Sequence, residues 1–299
     1  MKELCVVHLV RAQNGIEPFR RFLESYQANP GGIEHDLLIV FKGFAQPQGT
    51  AEYLDLLASI RHTTFQVPDE GFDITAYFSV VRFHVAKYRY FCFLNSHSVI
   101  LDPQWLSKLY KQISRPGVGL VGATGSWESR RSLKLSWSNI RDVMLSYYSL
   151  HKGKIFWKST ILGVFDAWEY FVWEMRFDLF PNYHLRTNAF MISGQVMTEL
   201  KCIPLRDKMD AYRFESGKIG MTKQILRRRK KVIVVGRDGN GYEKDIWNTS
   251  KTFRQSEQEN LLVADNQTRD YQYGTLERRE FLSTITWGNE NDVSTAQAK

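Results

Sequence analysis

The feature that most constrains this chain is an alternation. From residue 5 to residue 124, short apolar, β-branched runs take turns with amphipathic stretches of helical period. "CVVHLVR" (5–11), "HDLLIVFKGF" (35–44), "TTFQVPD" (63–69), "YRYFCFLN" (88–95) and "VGLVGAT" (118–124) read as strands. Between them, "IEPFRRFLESYQ" (16–27), "TAEYLDLLASIR" (50–61), "DITAYFSVVRFHVA" (73–86) and "PQWLSKLYKQIS" (103–114) read as helices, with Pro18 and Pro103 near helix starts, where proline is tolerated. Strands and helices at this spacing form βαβ units, and the expected fold is α/β, a doubly wound and mostly parallel sheet. Ligands of such sheets bind beyond the carboxyl ends of the strands. That directs attention to "YFCFLNSHSVILDP" (90–103), where a buried strand ends in Asn95, Ser96, His97 and Ser98. An ordinary polar turn is the other reading of those residues.

Beyond residue 125 the pattern changes. Aromatic and basic residues dominate up to Pro181, and a helical insertion is expected there. "NAFMIS" (188–193) and "KVIVVG" (231–236) are strands, with helix predicted over "SGKIGMTKQILRRRK" (216–230). The organisation predicted is a main domain over 1–236, with halves 1–125 and 126–236, and a loop-rich extension over 237–288 held by Trp247, Phe253 and Trp287. Residues 289–299 are expected to be a disordered tail. "GVGLVGATG" (117–125) encloses a strand, and its glycines are read as sites of close backbone packing.

Composition excludes several classes. No apolar run is long enough to span a bilayer, and "MKELCVVHLV" reads as a strand and not as a secretory leader. Cys5, Cys92 and Cys202 fit no zinc spacing, and an odd count argues against a disulfide framework, so buried free thiols in a reducing compartment are expected. The net charge of +8 suits an anionic partner: nucleic acid, membrane or substrate. Nucleic acid lacks support, because RNP, KH and zinc signatures are missing and the basic residues are dispersed. There is no GxGxxG after the first strand and no GxxxxGK[ST].

The layout of "EGFDITAYFSVV…CFLNSHSVILDPQWLSKL", followed by "FESGKIGMTKQI", resembles glycosyltransferases of the GT-A fold, close to the family-two group that builds bacterial surface polysaccharides such as lipopolysaccharide. The resemblance spans roughly residues 3–236. It implies that Asn95-Ser96-His97 stands where the family has its DxD motif. A DxD motif supplies hard carboxylate ligands for Mn²⁺ or Mg²⁺. Asn95 and Ser96 offer neutral oxygens, and His97 offers a borderline nitrogen. Either His97 ligates a metal, or the diphosphate site works without one. The resemblance also implies a general base at Glu215, with Asp210 as the alternative, to deprotonate the acceptor hydroxyl. Glu215 could instead simply favour a helix N-terminus.

On the donor side the resemblance adds His8, Arg11, Gln13, Lys42 and Asp73. His8 could equally be a core histidine, and Asp73 could cap its helix. On the acceptor side it adds His184, Arg186 and Asn188 in "PNYHLRTNAFMIS" (181–193). The function expected is transfer of a sugar from a UDP- or dTDP-linked donor to a glycan or lipid-linked glycan, with a non-catalytic binding module of the same fold as the rival. "RRRKK" (227–231) and the aromatic stretch 127–183 lead to the expectation of a cytoplasmic protein peripheral on an anionic membrane surface.

Overall fold

The computed structural model describes residues 1–45, 47–132 and 172–288. Most of the aromatic insertion and the tail 289–299 therefore lie outside the described residues. The first half runs β1 (Lys2–Arg11), α1 (Glu17–Ala28), β2 (Asp36–Lys42), α2 (Ala51–Leu56), β3 (Thr63–Val67), α3 (Phe72–His84), β4 (Tyr88–Leu94), β5 (Val99–Ile100), α4 (Trp105–Ile113) and β6 (Val118–Gly122). Then come β7 (Gly125–Ser126), β8 (His184–Leu185), β9 (Ala189–Ser193), α5 (Gly194–Glu199), α6 (Lys208–Ser216), α7 (Met221–Arg227) and β10 (Lys231–Val235). The extension holds β11 (Gly241–Glu243), β12 (Val263–Ala264), α8 (Asn266–Gln272) and α9 (Leu276–Trp287) within its loops.

Eight strands make the central sheet, in the order β11-β10-β6-β9-β4-β1-β2-β3. β1, β2, β3 and β4 are mutually parallel, and β10 is parallel to β6. β9 runs antiparallel between β4 and β6, so its reversed direction keeps β6 aligned with β4. This is the α/β, mostly parallel sheet that the alternation predicts. The carboxyl ends of β1, β2, β4, β6 and β10 share one edge. Arg227–Lys230 precede β10 and Lys231 opens it, so the basic run sits at the opposite edge.

The period of two along each strand divides the core into two layers. Cys5, Val7 and Leu9 face α3, packing with Ile74, Tyr77 and Val80. Leu4, Val6 and Val10 face α1 and α4, packing with Phe19, Phe22 and Leu106. His8 falls on the second face by the same count. Its ring stacks on Phe22 with centroids 3.5 Å apart, it is 0% exposed, and neither ring nitrogen has a hydrogen-bond partner. Burial, and then the charge of His97, lowers its pKa to about 3. His8 is thus a neutral core residue, which corrects its place among the donor-binding residues.

Close approach explains two of the glycines in 117–125. A Cβ on Gly122 would lie 2.5 Å from Leu185 Cδ2, and one on Gly125 would lie 2.6 Å from the Trp247 ring. The helix predicted over 216–230 begins later. Asp207 caps α6 by accepting from the Asp210 N–H, α6 ends at Ser216, and α7 starts at Met221. Glu215 therefore lies in the last turn of α6, not at a helix N-terminus. Lys208–Ser216 contains good helix formers, and the cap lets the helix start there.

The extension packs tightly on the main sheet. β12 pairs antiparallel with β5, and Asp265 forms a capping box at the start of α8. The buried Arg186 donates to Asp265 at 2.8 Å and lies over the Phe253 ring at 4.2 Å. Trp287 packs on Trp127 and donates to the Phe253 carbonyl. Cys5 and Cys92 are buried, whereas Cys202 is exposed, which corrects the expectation for that thiol.

Candidate functional site

The ends of β1 and β2 converge on one residue that sequence reasoning missed. Arg11 makes a bidentate ion pair with Asp69 at 3.0 and 3.1 Å. Gln13 donates to the same carboxylate at 3.1 Å, and Lys42 Nζ lies 3.6 Å from it. The Arg11 hydrogen bond is the main reason that Asp69 titrates below the usual carboxylate range. Lys42 is buried and also donates to the carbonyls of Pro68 and Glu70. Both cations predicted for the donor are therefore committed to one acid. The loop signal "VPDEG" (67–71), just past a short strand, was the available clue.

Asp73 follows at once. Gly71 and Phe72 turn into α3 with φ of +63° and +56°, both left-handed, and the N-cap makes no side-chain cap bond. Asp73 makes no hydrogen bond or ion pair among the described residues, so capping does not account for it. Desolvation is the main cause that raises its carboxyl pKa, against Lys42 and Arg11, which lower it, and with Glu215 and Asp69, which raise it. The charge of Glu215, in the second half of the chain, thus reaches Asp73, in the first.

Glu215 is held in place by the loop before β9. Its Oε1 accepts from the Thr187 N–H at 2.9 Å and from the Thr187 hydroxyl at 3.4 Å. Its other oxygen makes no hydrogen bond among the described residues. His184 is buried beside it. Burial lowers the imidazole pKa, while Glu215, the Asn182 carbonyl and Glu128 pull it up. Its Nδ1 contacts the Asn182 carbonyl at 2.8 Å and so must carry the proton, which leaves Nε2 with the lone pair. Asp210 is five residues before Glu215, roughly 140° around the helix. It pairs with Arg213 at 2.8 Å and accepts from the Arg206 N–H. Sequence position brought Asp210 and Glu215 together, and the helix separates them.

The strand-end residues of β4 form a tight turn. Asn95 Oδ1 accepts from the His97 N–H at 3.0 Å and from the Ser98 hydroxyl at 3.1 Å. Ser96 Oγ accepts from Asn14 at 2.7 Å. The Asn188 carbonyl accepts from the Asn95 N–H, and its side-chain oxygen accepts from Thr124. Asn188 and Arg186 therefore fasten the turn and the extension, and neither is presented to an open acceptor face. The donor set at 95–97 does not suit a divalent cation. The Asn95 oxygen is used by the turn, there is no carboxylate, and Arg269 donates to the His97 carbonyl at 3.3 Å. Desolvation first, and then the positive charge of Arg269, lowers the His97 pKa; Asp265 opposes this and Arg21 adds to it. Asp265, the nearby acid, is already paired with Arg186, so the two remaining guanidinium groups make the site repel Mn²⁺ and attract anions.

No protein-family profile and no curated protein matches the chain. Among solved structures, it is similar to the mannosyltransferase PcManGT from Pyrobaculum calidifontis in complex with GDP-Man and Mn²⁺, at 10% identity over 99% of this chain and 73% of that one, with a TM-score of 0.46. It is also similar to S. aureus TarS 1-349, at 13% identity over 40% of this chain and 34% of that one, with a TM-score of 0.31. A third is GalNAc-T7 with UDP, GalNAc and Mn²⁺, at 19% identity over 40% of this chain and 22% of that one, with a TM-score of 0.33. The chain thus spans about a third of the TarS chain that it matches. Among the described residues, no helix is long and apolar enough to cross a membrane.

Proposed function

We propose that the protein is a glycosyltransferase that moves a sugar from a nucleotide-sugar to a hydroxyl of a glycan or lipid-linked glycan, with inversion. The observation that carries this reading is the packing of α3, which bears Asp73, on α6, which bears Glu215. These helices pack with the Phe78 and Phe214 rings 5.5 Å apart, which brings two carboxylates from opposite halves of the chain to the strand-end side of a parallel sheet, each with hydrogen-bonding capacity left unused among the described residues. Such an edge is where open α/β sheets bind ligands. Thr187 fixes the Glu215 carboxylate through one oxygen, and the second oxygen is available to take the acceptor's proton. General-base catalysis asks for that geometry. Asp73 lies on the donor side, where a half-buried acid can accept hydrogen bonds from ribose or base.

A non-catalytic module is the second reading, and it is favoured by the turn at 95–98, where side-chain oxygens serve the backbone instead of a metal. A thermal-shift screen of nucleotides and nucleotide-sugars, in EDTA and in Mn²⁺, tests the shared premise, because a ligand of the native state raises apparent stability. At least one nucleotide-sugar should shift the transition upward. A screen in which no donor does so would refute both readings. The acceptor side is read as membrane-proximal only if the protein docks by its strand-end edge. Arg227–Lys231 lie at the other edge, and Arg228 is held by the Gln224 and Glu199 carbonyls.

A further inference from the structure

A cavity of about 670 Å³ lies between α1, the segment leaving the 95–98 turn, and the extension. Its walls include Val99, Leu101, Leu261 and Tyr273, with Arg21 and Arg269 among the lining residues. The charges there do not balance. Two of the lining acids are already neutralised, Glu257 by Arg279 at 2.6 Å and Glu259 by Lys251 at 2.7 Å. Arg237, the third lining arginine, lies 3.8 Å from Asp102. Arg21 has no hydrogen bond or ion pair among the described residues, and Arg269 donates only to the His97 carbonyl. Glu24 is the single lining carboxylate without an ion-pair partner among the described residues, which leaves two guanidiniums against one acid.

The contrast with the other cations at this end of the molecule is informative. Arg11 and Lys42 are bound by Asp69, and Arg186 by Asp265. Of the three arginines lining the cavity, Arg21 and Arg269 have no ion-pair partner among the described residues, and both stand beside the turn that would hold a metal if it carried acids. Guanidinium suits phosphate because its planar fork matches two phosphate oxygens. The volume is in the range of small-molecule pockets, and the apolar wall suits the organic part of a phosphate ester.

We propose that this cavity binds a pyrophosphate-bearing ligand, with Arg21 and Arg269 supplying the positive charge that a divalent cation would otherwise supply. Identifying that ligand with the sugar donor rests on the glycosyltransferase reading, whereas the anion site does not. Arg269 reaches the site from the extension, so residues 237–288 would complete the binding surface and not merely cover it.

Titration calorimetry in EDTA provides the test, using inorganic pyrophosphate, UDP, GDP and a soluble short-chain phosphatidic acid as probes. Pyrophosphate should bind without metal, and Arg21→Ala and Arg269→Ala should each weaken it by about tenfold or more, as expected for loss of a charge-assisted pair. Arg269→Lys should fall between, because lysine keeps the charge and loses the fork. Arg21 is exposed on a helix surface, so its variant should keep the wild-type melting temperature and remains informative if an Arg269 variant misfolds. Unchanged affinity in Arg21→Ala and Arg269→Lys, or binding that appears only with Mn²⁺, would overturn the proposal. Arginine-dependent binding of pyrophosphate with none of UDP, GDP or any nucleotide-sugar would sustain the anion site and overturn the glycosyltransferase reading. Tighter binding of the phosphatidic acid than of pyrophosphate or either nucleotide would overturn the pyrophosphate assignment in favour of a lipid phosphate.

Discussion

Replacing His8 by Phe should remove a large part of this protein's sensitivity to mild acid. The histidine is fully buried, stacked on Phe22, and lacks a partner for either nitrogen, so the folded state holds it neutral. Its pKa drops from 6.5 to about 3 on folding. The sign follows from linkage. Between these two values the unfolded chain binds a proton that the folded chain refuses, so stability falls as pH falls through that window. At pH 7 the penalty is only about 0.2 kcal/mol, and at pH 5 it reaches about 2 kcal/mol. Phe keeps the ring stack and removes the titration. Urea denaturation of both proteins at pH 7 and pH 5 measures the difference. The other histidines contribute to both proteins and cancel. Wild type should lose about 2 kcal/mol more than His8→Phe over this interval. Equal losses would refute the placement of a neutral His8 in the core.

Three further outcomes follow from packing and charge. Asp265→Asn should destabilise by about 3–5 kcal/mol, because it leaves Arg186 charged and unpaired in the interior, and urea denaturation at pH 7 reads this directly. Gly122→Ala should cost roughly 1–3 kcal/mol by the same assay, since its Cβ would collide with Leu185 and approach the Ala189 carbonyl. Co-sedimentation with anionic liposomes should weaken when Arg227, Arg229 and Lys230 are changed together to Ser. Arg228→Ser should have less effect on binding, since its side chain is occupied by backbone carbonyls.

The fold was legible wherever hydrophobic period and turn chemistry agreed. Strands buried on both faces produce the uninterrupted runs at 37–41 and 90–94, and the intervening helices are amphipathic. The antiparallel direction of β9 was not legible, because a strand's sequence carries no mark of its direction. Glu215 was proposed from its neighbourhood in sequence, and its helix was placed too late, since the Asp207 cap lies in a stretch with little apolar pattern. His8 could have been assigned by counting alternate residues from Leu4 and Val6. Asp69 and the Arg21–Arg269 pair were beyond reach for another reason. They join residues 58 and 248 positions apart, and nothing local in a sequence states which charges already have partners.

The most direct test of the central claim is release of nucleoside diphosphate from nucleotide-sugars in the presence of glycan acceptors, comparing wild type with Glu215→Gln. The glutamine keeps the shape of the side chain and can still hydrogen-bond to Thr187, but it cannot take the acceptor's proton. Wild type should turn over at least one donor that it binds, and the variant should be slower by about 10²–10⁴-fold with nearly unchanged donor affinity. A Glu215→Gln protein that transfers sugar at the wild-type rate, or a wild type that binds a donor and never transfers it to any acceptor offered, would contradict the account.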